Sequence, residues 1–329
     1  MIEKEMAEKN LIFKAIVGSK LYGTLGPNSD TDYMGCCLPN IEYVCGIKRF
    51  EQYESKTNPA DSRTPNAKSD VDATIYSLPK LIHILKENNP TALELLFVPD
   101  NCKVFTSQPW DAILDNKAAF ISKKAKHTFI GYAFAQKQKV LNKRDRYSQF
   151  VTALVKLDEY KKSGMNTLPE RLELNTDLIK AGQWAAFEKG QSIHDVGNRI
   201  IKEVEKYGFR IDNVREHGYD GKFISHVYRL LSEGLELLVE GNITLPLNEV
   251  KTVRAIKDYE TSLDETLKMI DAKEHLVEEA YIRSPLPNTP DLELINALQI
   301  DILYGFWKRQ ELHVYEGCHM YDSVLDLYH

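Results

Sequence analysis

Gly18-Ser19-Lys20-Leu21-Tyr22-Gly23-Thr24-Leu25-Gly26-Pro27-Asn28-Ser29-Asp30-Thr31-Asp32-Tyr33-Met34-Gly35 is the stretch on which the reading of the chain turns. The apolar run Leu11 to Val17 leads directly into its Gly-Ser pair. Gly23, Gly26 and Pro27 make the middle turn-rich, and two carboxylates one residue apart open a second apolar run. Strand, tight turn and strand is the reading. Alternation along a strand then sets Asp30 and Asp32 on one face.

Two carboxylates on one face repel each other unless a cation lies between them. Hard oxygen ligands in that pattern suit Mg²⁺ or Mn²⁺, which take one or two carboxylates together with substrate phosphates. Gly18 lets a backbone approach a ligand that a Cβ would block, and the amides of a Gly-rich turn cradle phosphates. A third carboxylate on a neighbouring strand would complete a two-metal site. Asp72 is the first candidate and Asp70 the second.

Composition sets the outer limits. A chain of 329 residues, 43% hydrophobic and 27% charged, has the make-up of an ordinary globular protein with a sizeable core. A net charge of −6 argues against nonspecific grip on nucleic acid as the main task, while leaving room for a local basic surface. No apolar run approaches a membrane span, and the acidic N-terminal segment does not resemble a signal peptide. Five cysteines without a CxxC motif fit reduced thiols, so a cytoplasmic location is the expectation.

Read in order, residues 2–9 are expected as a short helix, Leu11–Val17 and Asp32–Leu38 as strands, and the polar segment 51–70 as a flexible loop. Val71–Tyr76 follows as a strand with Asp70, Asp72 and Thr74 on one face. A helix from Leu78 ends at Asn88-Asn89-Pro90, and Thr91 with Glu94 reads as a capping box for the next. From about residue 110 helical patterns dominate: 110–160, 170–189, 192–207, 220–240, 248–282 and 291–310, with Gly208 as a C-cap and the proline-rich segment 284–290 as a stiff linker. The expected class is α+β: a small mixed-sheet unit over 1–108, then a helical part over 109–329.

Other groups carry weaker signals. Lys222, His226 and Arg229 recur at i, i+4 and i+7, so they share one helical face. Residues 123–146 hold eight Lys and Arg against the single acid Asp145, with Phe129, Tyr132 and Phe134 interleaved, a candidate surface for RNA or another polyanion. His313, Cys318, His319 and Asp322 match no common zinc spacing, and Cys36-Cys37 reads as packing.

The string GSKLYGTLGPNSDTDYMG resembles the signature of the DNA polymerase β-type nucleotidyltransferase superfamily, a GS pair, a spacer and DxD. It is closest to the bacterial and phage branch associated with RNA ligase and RNA repair. VDATIYSL with NNPTALELLF resembles that branch's third-aspartate strand and helix pair, and GKFISHVYRLL resembles its helical segment. The resemblance is strong over 11–100 and weak beyond 240. It implies transfer of a nucleoside monophosphate from an NTP, ATP first, to an acceptor such as RNA, releasing pyrophosphate. By the same resemblance Asp30, Asp32 and Asp72 bind the metals and are catalytic, and Gly18 and Ser19 hold the phosphates. Lys222, His226 and Arg229 then reach the triphosphate, and the helical part closes over the nucleotide and receives the acceptor. An AMP-adding protein-modifying transferase and a non-catalytic nucleotide-binding regulator are the alternatives. Neither the acceptor nor the oligomeric state is written in the sequence.

Overall fold

The computed structural model describes residues 2–26, 29–56, 71–174, 187–205, 213, 216–217 and 219–315, without the side chains of 2, 139, 142–144, 146 and 311–315. Five strands, β1 (Leu11–Val17), β2 (Thr31–Cys37), β3 (Gln52–Lys56), β4 (Val71–Ser77) and β5 (Lys103–Thr106), form one mixed sheet in the order β3-β4-β2-β1-β5. β2 and β4 run parallel, and the other pairs are antiparallel.

Register decides which residues share a face. Val17 pairs with Asp32 and Phe13 with Cys36 between β1 and β2, while Asp32 pairs with Asp72 and Met34 with Thr74 between β2 and β4. Phe13, Ala15, Val17, Met34 and Cys36 therefore lie on one face, in the main core. Cys37 and Ile75 lie on the other, where Met6 and Ala7 of α1 (Ile2–Lys9) cover them. Asp32 and Asp72 end the first face, at the edge of its apolar cover.

Sheet and helices share that main core, which continues from Phe13 and Trp110, stacked at 4.1 Å, through Phe120 and Phe129 to Leu231 and Ile270. After α2 (Ser19–Tyr22) come α3 (Leu78–Lys86), α4 (Pro90–Glu94) and α5 (Gln108–Asp115). The helical part is α6 (Lys124–Lys162), α7 (Ile193–Glu205), α8 (Gly221–Glu240), α9 (Val250–Lys257), α10 (Leu263–Arg283) and α11 (Leu292–Tyr315). The far half of α6 carries a second small core with α7, built on Phe150, Leu157, Leu172, Phe187 and Ile200. Among the described residues no helix is long and apolar enough to cross a membrane.

Several expectations are corrected. The segment 51–70 begins with a strand, β3, whose polar composition suits an edge position; residues 57–70, Asp70 included, lie outside the described residues. β5 is a short edge strand without a strong sequence signal. The expected helix over 170–189 is absent at both described ends, where Leu172 and Phe187 form an antiparallel bridge instead. Leu172-Glu173-Leu174 alternates with period two, a pattern that a helical reading overlooks. The stretch 248–282, expected as helix or broken helix, is broken into two, because Tyr259 takes a positive φ of 63° and Ser262 with Glu265 caps a fresh start. Asn89, not Thr91, caps α4, its side chain accepting from the Ala92 N–H, which leaves Glu94 to another task. Gly208, Cys318, His319 and Asp322 lie outside the described residues, as does the side chain of His313.

Candidate active site

β1 ends where the chain must turn sharply. Gly18 has φ +68°, and a Cβ there would lie 2.5 Å from the Asp32 carboxylate, so both backbone conformation and space call for glycine. α2 is a single turn, closed by the Gly23 and Thr24 N–H groups donating to the Lys20 and Ser19 carbonyls. As helix-start amides, those of Ser19 and Lys20 have no i−4 carbonyl and remain for a ligand. Asp30 precedes β2 rather than lying in it, and Asp32 is its second residue. The shared-strand reading of the two therefore gives way to one aspartate in the loop and one in the strand.

These groups open on one cleft of about 720 Å³. The sheet side supplies Gly18, Ser19, Asp30, Asp32 and Asp72; the helical side supplies Lys222, His226 and Arg229 from α8 and Lys257 from α9. The eight residues singled out from the sequence thus line a common space. Burial, then Asp30 and Asp72, push the Asp32 carboxyl up to about 6, against the pull of Lys222. Among the described residues, no three His, Cys, Asp or Glu side chains are drawn together tightly enough to hold a metal as they stand. Mg²⁺ does not need a closed protein cage, because substrate phosphates and water complete its shell.

Arg229 is placed differently from what its spacing implied. It is buried, and Nη1 donates to Glu94 Oε1 at 2.7 Å and to Glu233 Oε1 and Oε2 at 2.7 and 2.9 Å. Its guanidinium lies 4.0 Å over the Tyr22 ring, and the Tyr22 hydroxyl donates to Glu94 Oε2 at 2.6 Å. Arg229 thus ties α8 to α4 and to the Gly18–Tyr22 turn. Burial raises the Glu233 carboxyl to about 8, against the opposing effect of Arg229. Arg229 Nη2 lies 2.9 Å from His226 Nε2. Enclosure by protein, then Arg229 and Lys222, lower the His226 imidazole to about 3, so it is neutral at physiological pH.

Lys257 was not singled out from the sequence. Its Nζ donates to the Thr24 carbonyl at 2.9 Å, pinning the phosphate turn to α9. Burial lowers its pKa, with Asp30 and Asp258 opposing. Tyr22, Glu94 and Glu233 also escaped the sequence reading. A signal existed for Glu233, four residues after Arg229 and so on the same helical face. Nothing local marked Glu94, 135 residues from its partner.

Three of the eight cations of the basic segment 123–146 pair within the fold, and the side chains of Lys139, Lys143, Arg144 and Arg146 lie outside the described residues. Lys124 pairs with Glu87, Lys126 with Glu278 at 2.8 Å, and Lys137 with Asp271 at 2.7 Å and Glu274 at 3.4 Å. Lys123 lies over the Tyr281 ring. Phe129 is core, whereas Tyr132 and Phe134 are exposed.

Comparison with known proteins agrees with this geometry. The chain is 23% identical over 278 residues, 75% of its own length and 82% of the relative's, to an uncharacterized 38.9 kDa protein encoded in the nrdC-mobD intergenic region of Enterobacteria phage T4. A family model covers residues 1–286, site included. The chain belongs to the RNA repair pathway DNA polymerase beta family.

Proposed function

We propose that this protein transfers a nucleoside monophosphate from an NTP, ATP first, to the end of an RNA, releasing pyrophosphate. The observation that carries the reading is the pairing of Asp32 with Asp72 beside the Gly18–Ser19 turn, facing Lys222 and Lys257 across one cleft. Family membership supports the nucleotidyltransferase class, and the family's RNA repair description supports an RNA acceptor.

Asp30, Asp32 and Asp72 offer the hard oxygen donors that Mg²⁺ or Mn²⁺ takes, and the raised Asp32 carboxyl is what a divalent cation would relieve. Bound there, such a cation supplies charge neutralisation and a more acidic acceptor hydroxyl. The chain's own part is mainly positioning. The Ser19 and Lys20 amides hold the terminal phosphates, Lys222 and Lys257 balance their charge, and Asp72 orients the acceptor oxygen for in-line attack on the α-phosphorus. The acceptor hydroxyl gives up its proton on the carboxylate side of the cleft, its oxygen–phosphorus bond forms as the α–β phosphoanhydride breaks, and pyrophosphate leaves with the bonding pair.

The test is incubation of the full chain with α-labelled NTPs and Mg²⁺ or Mn²⁺, against RNA, protein and small-molecule acceptors. Label is expected on RNA, and lost with Asp32→Asn and Asp72→Asn. Label appearing on protein alone would replace the acceptor; transfer that persists in both variants would overturn the site.

A further inference from the structure

The commitment of Arg229 to Glu94 and Glu233 fixes the state of its neighbour. A guanidinium is always charged and only donates. With Arg229 Nη2 at 2.9 Å, His226 Nε2 must accept and therefore carries no proton. A neutral imidazole then has its single proton on Nδ1. A second proton on Nε2 would set two N–H groups against each other, with Lys222 adding to the repulsion. The same helix turn presents His226 to the cleft, and no hydrogen bond to Nδ1 is made among the described residues.

We propose that His226 donates its Nδ1–H to the phosphate chain of the nucleotide, in a tautomer that Arg229 imposes by donating to Nε2. Arg229 is then a positioning residue and not a phosphate ligand. The proposal rests on the cleft being an NTP site. The charged groups lining the cleft with the ring are Lys222 and Arg229 on α8 and Asp220 just before it, Asp30, Asp32 and Asp72 on the sheet side, and Lys257 on α9 with Asp258 just after it. A phosphate facing an ordinary histidine draws a second proton onto it. Here Arg229 already occupies the lone pair that would take it, so the donor keeps one form across the physiological range. For the same reason His226 cannot serve as general base, which leaves acceptor activation to the carboxylate side of the cleft.

The test is long-range ¹H–¹⁵N imidazole spectroscopy of the full chain, with His226 assigned by its absence in His226→Asn, from pH 5 to 8. A non-hydrolysable ATP analogue with Mg²⁺ is then added. Expected are a protonated Nδ1 and a bare Nε2 throughout, with Nδ1 shifting when the analogue binds. The Nε2–H tautomer, a titration inside this range, or an Nδ1 unmoved by bound analogue overturns the proposal. Affinity supplies the second readout. His226→Asn, whose amide nitrogen takes the Nδ1 position, should stay within about threefold, while His226→Ala and His226→Gln lose about tenfold or more. Equal loss in Asn and Ala variants counts against the donor role. Arg229→Lys should release the tautomer; if it does not fold, the wild-type spectra decide alone. A wild-type chain that binds no analogue, with the tautomer as stated, overturns the NTP reading and the donor role with it. A bound analogue with the wrong tautomer sinks only this inference.

Discussion

Asp32 on β2 and Asp72 on β4 are register partners on the parallel pair of the sheet, forty positions apart in the chain and side by side on one face. Both lie at the end of a face that is otherwise apolar, next to Val17 and Met34. Crowding like charges there costs folding energy that only a cation or a proton relieves.

Removing one charge should therefore stabilise the fold while ending the chemistry. Asp32→Asn is expected to melt higher than the wild type in EDTA and to gain little from added Mg²⁺, whereas the wild type gains clearly. Thermal melts with and without the cation check this. A variant that melts lower in EDTA would show that the carboxylates do not repel as described.

Gly18→Ala is expected to fail on two grounds. It places a side chain at φ +68° and a Cβ 2.5 Å from the Asp32 carboxylate. The cost is about 1–3 kcal/mol in stability, read by denaturant titration. NTP affinity should fall further than stability alone explains, because relief of the clash displaces Asp32.

The Arg229 network should show the asymmetry of buried ion pairs. Arg229→Met leaves Glu94 without its cation beside a Glu233 that keeps its proton, and is expected to cost about 3–5 kcal/mol. Adding Glu94→Gln and Glu233→Gln to it should recover most of that loss. A triple variant no more stable than Arg229→Met would show that the charges are not what the single variant exposes.

The Glu233 carboxyl, raised to about 8 from an ordinary value near 4.5, gives a pH dependence of definite sign. The folded chain keeps its proton over this window and the unfolded chain releases it. Stability from this group is therefore complete below about 4.5 and is lost as pH rises toward 8. Glu233→Gln, which retains the shape of the protonated form, should flatten the fall in melting temperature between pH 5 and 8. Parallel profiles for the variant and wild type would contradict the assignment.

Lys257→Met is expected to weaken NTP binding by about 1.5–3 kcal/mol, the usual range for a hydrogen bond to a charged group. It also frees the Thr24 carbonyl from α9. Isothermal titration with a non-hydrolysable NTP measures the loss, which should shrink at high salt.

The sequence by itself determined the local units and the family to which they belong. Leu11–Val17 and the Gly-Ser turn carry their conformation in adjacent residues, because alternation and turn residues act over a few positions, whereas the same alternation misplaced Asp30, which lies in the loop before β2. Lys222, His226 and Arg229 could be placed on one helical face for the same reason. What each does on that face was decided elsewhere. Glu94 sits on α4, capped by Asn89, and engages the Arg229 guanidinium at the cleft wall. Through Arg229 it settles which nitrogen of His226 faces the ligand. Pairing across 135 residues leaves no trace in spacing, and only packing α8 against the phosphate turn brings the groups together. The basic run 123–146 shows the converse. Its charges look free in sequence, but α10 and Glu87 pair with several of them in the fold.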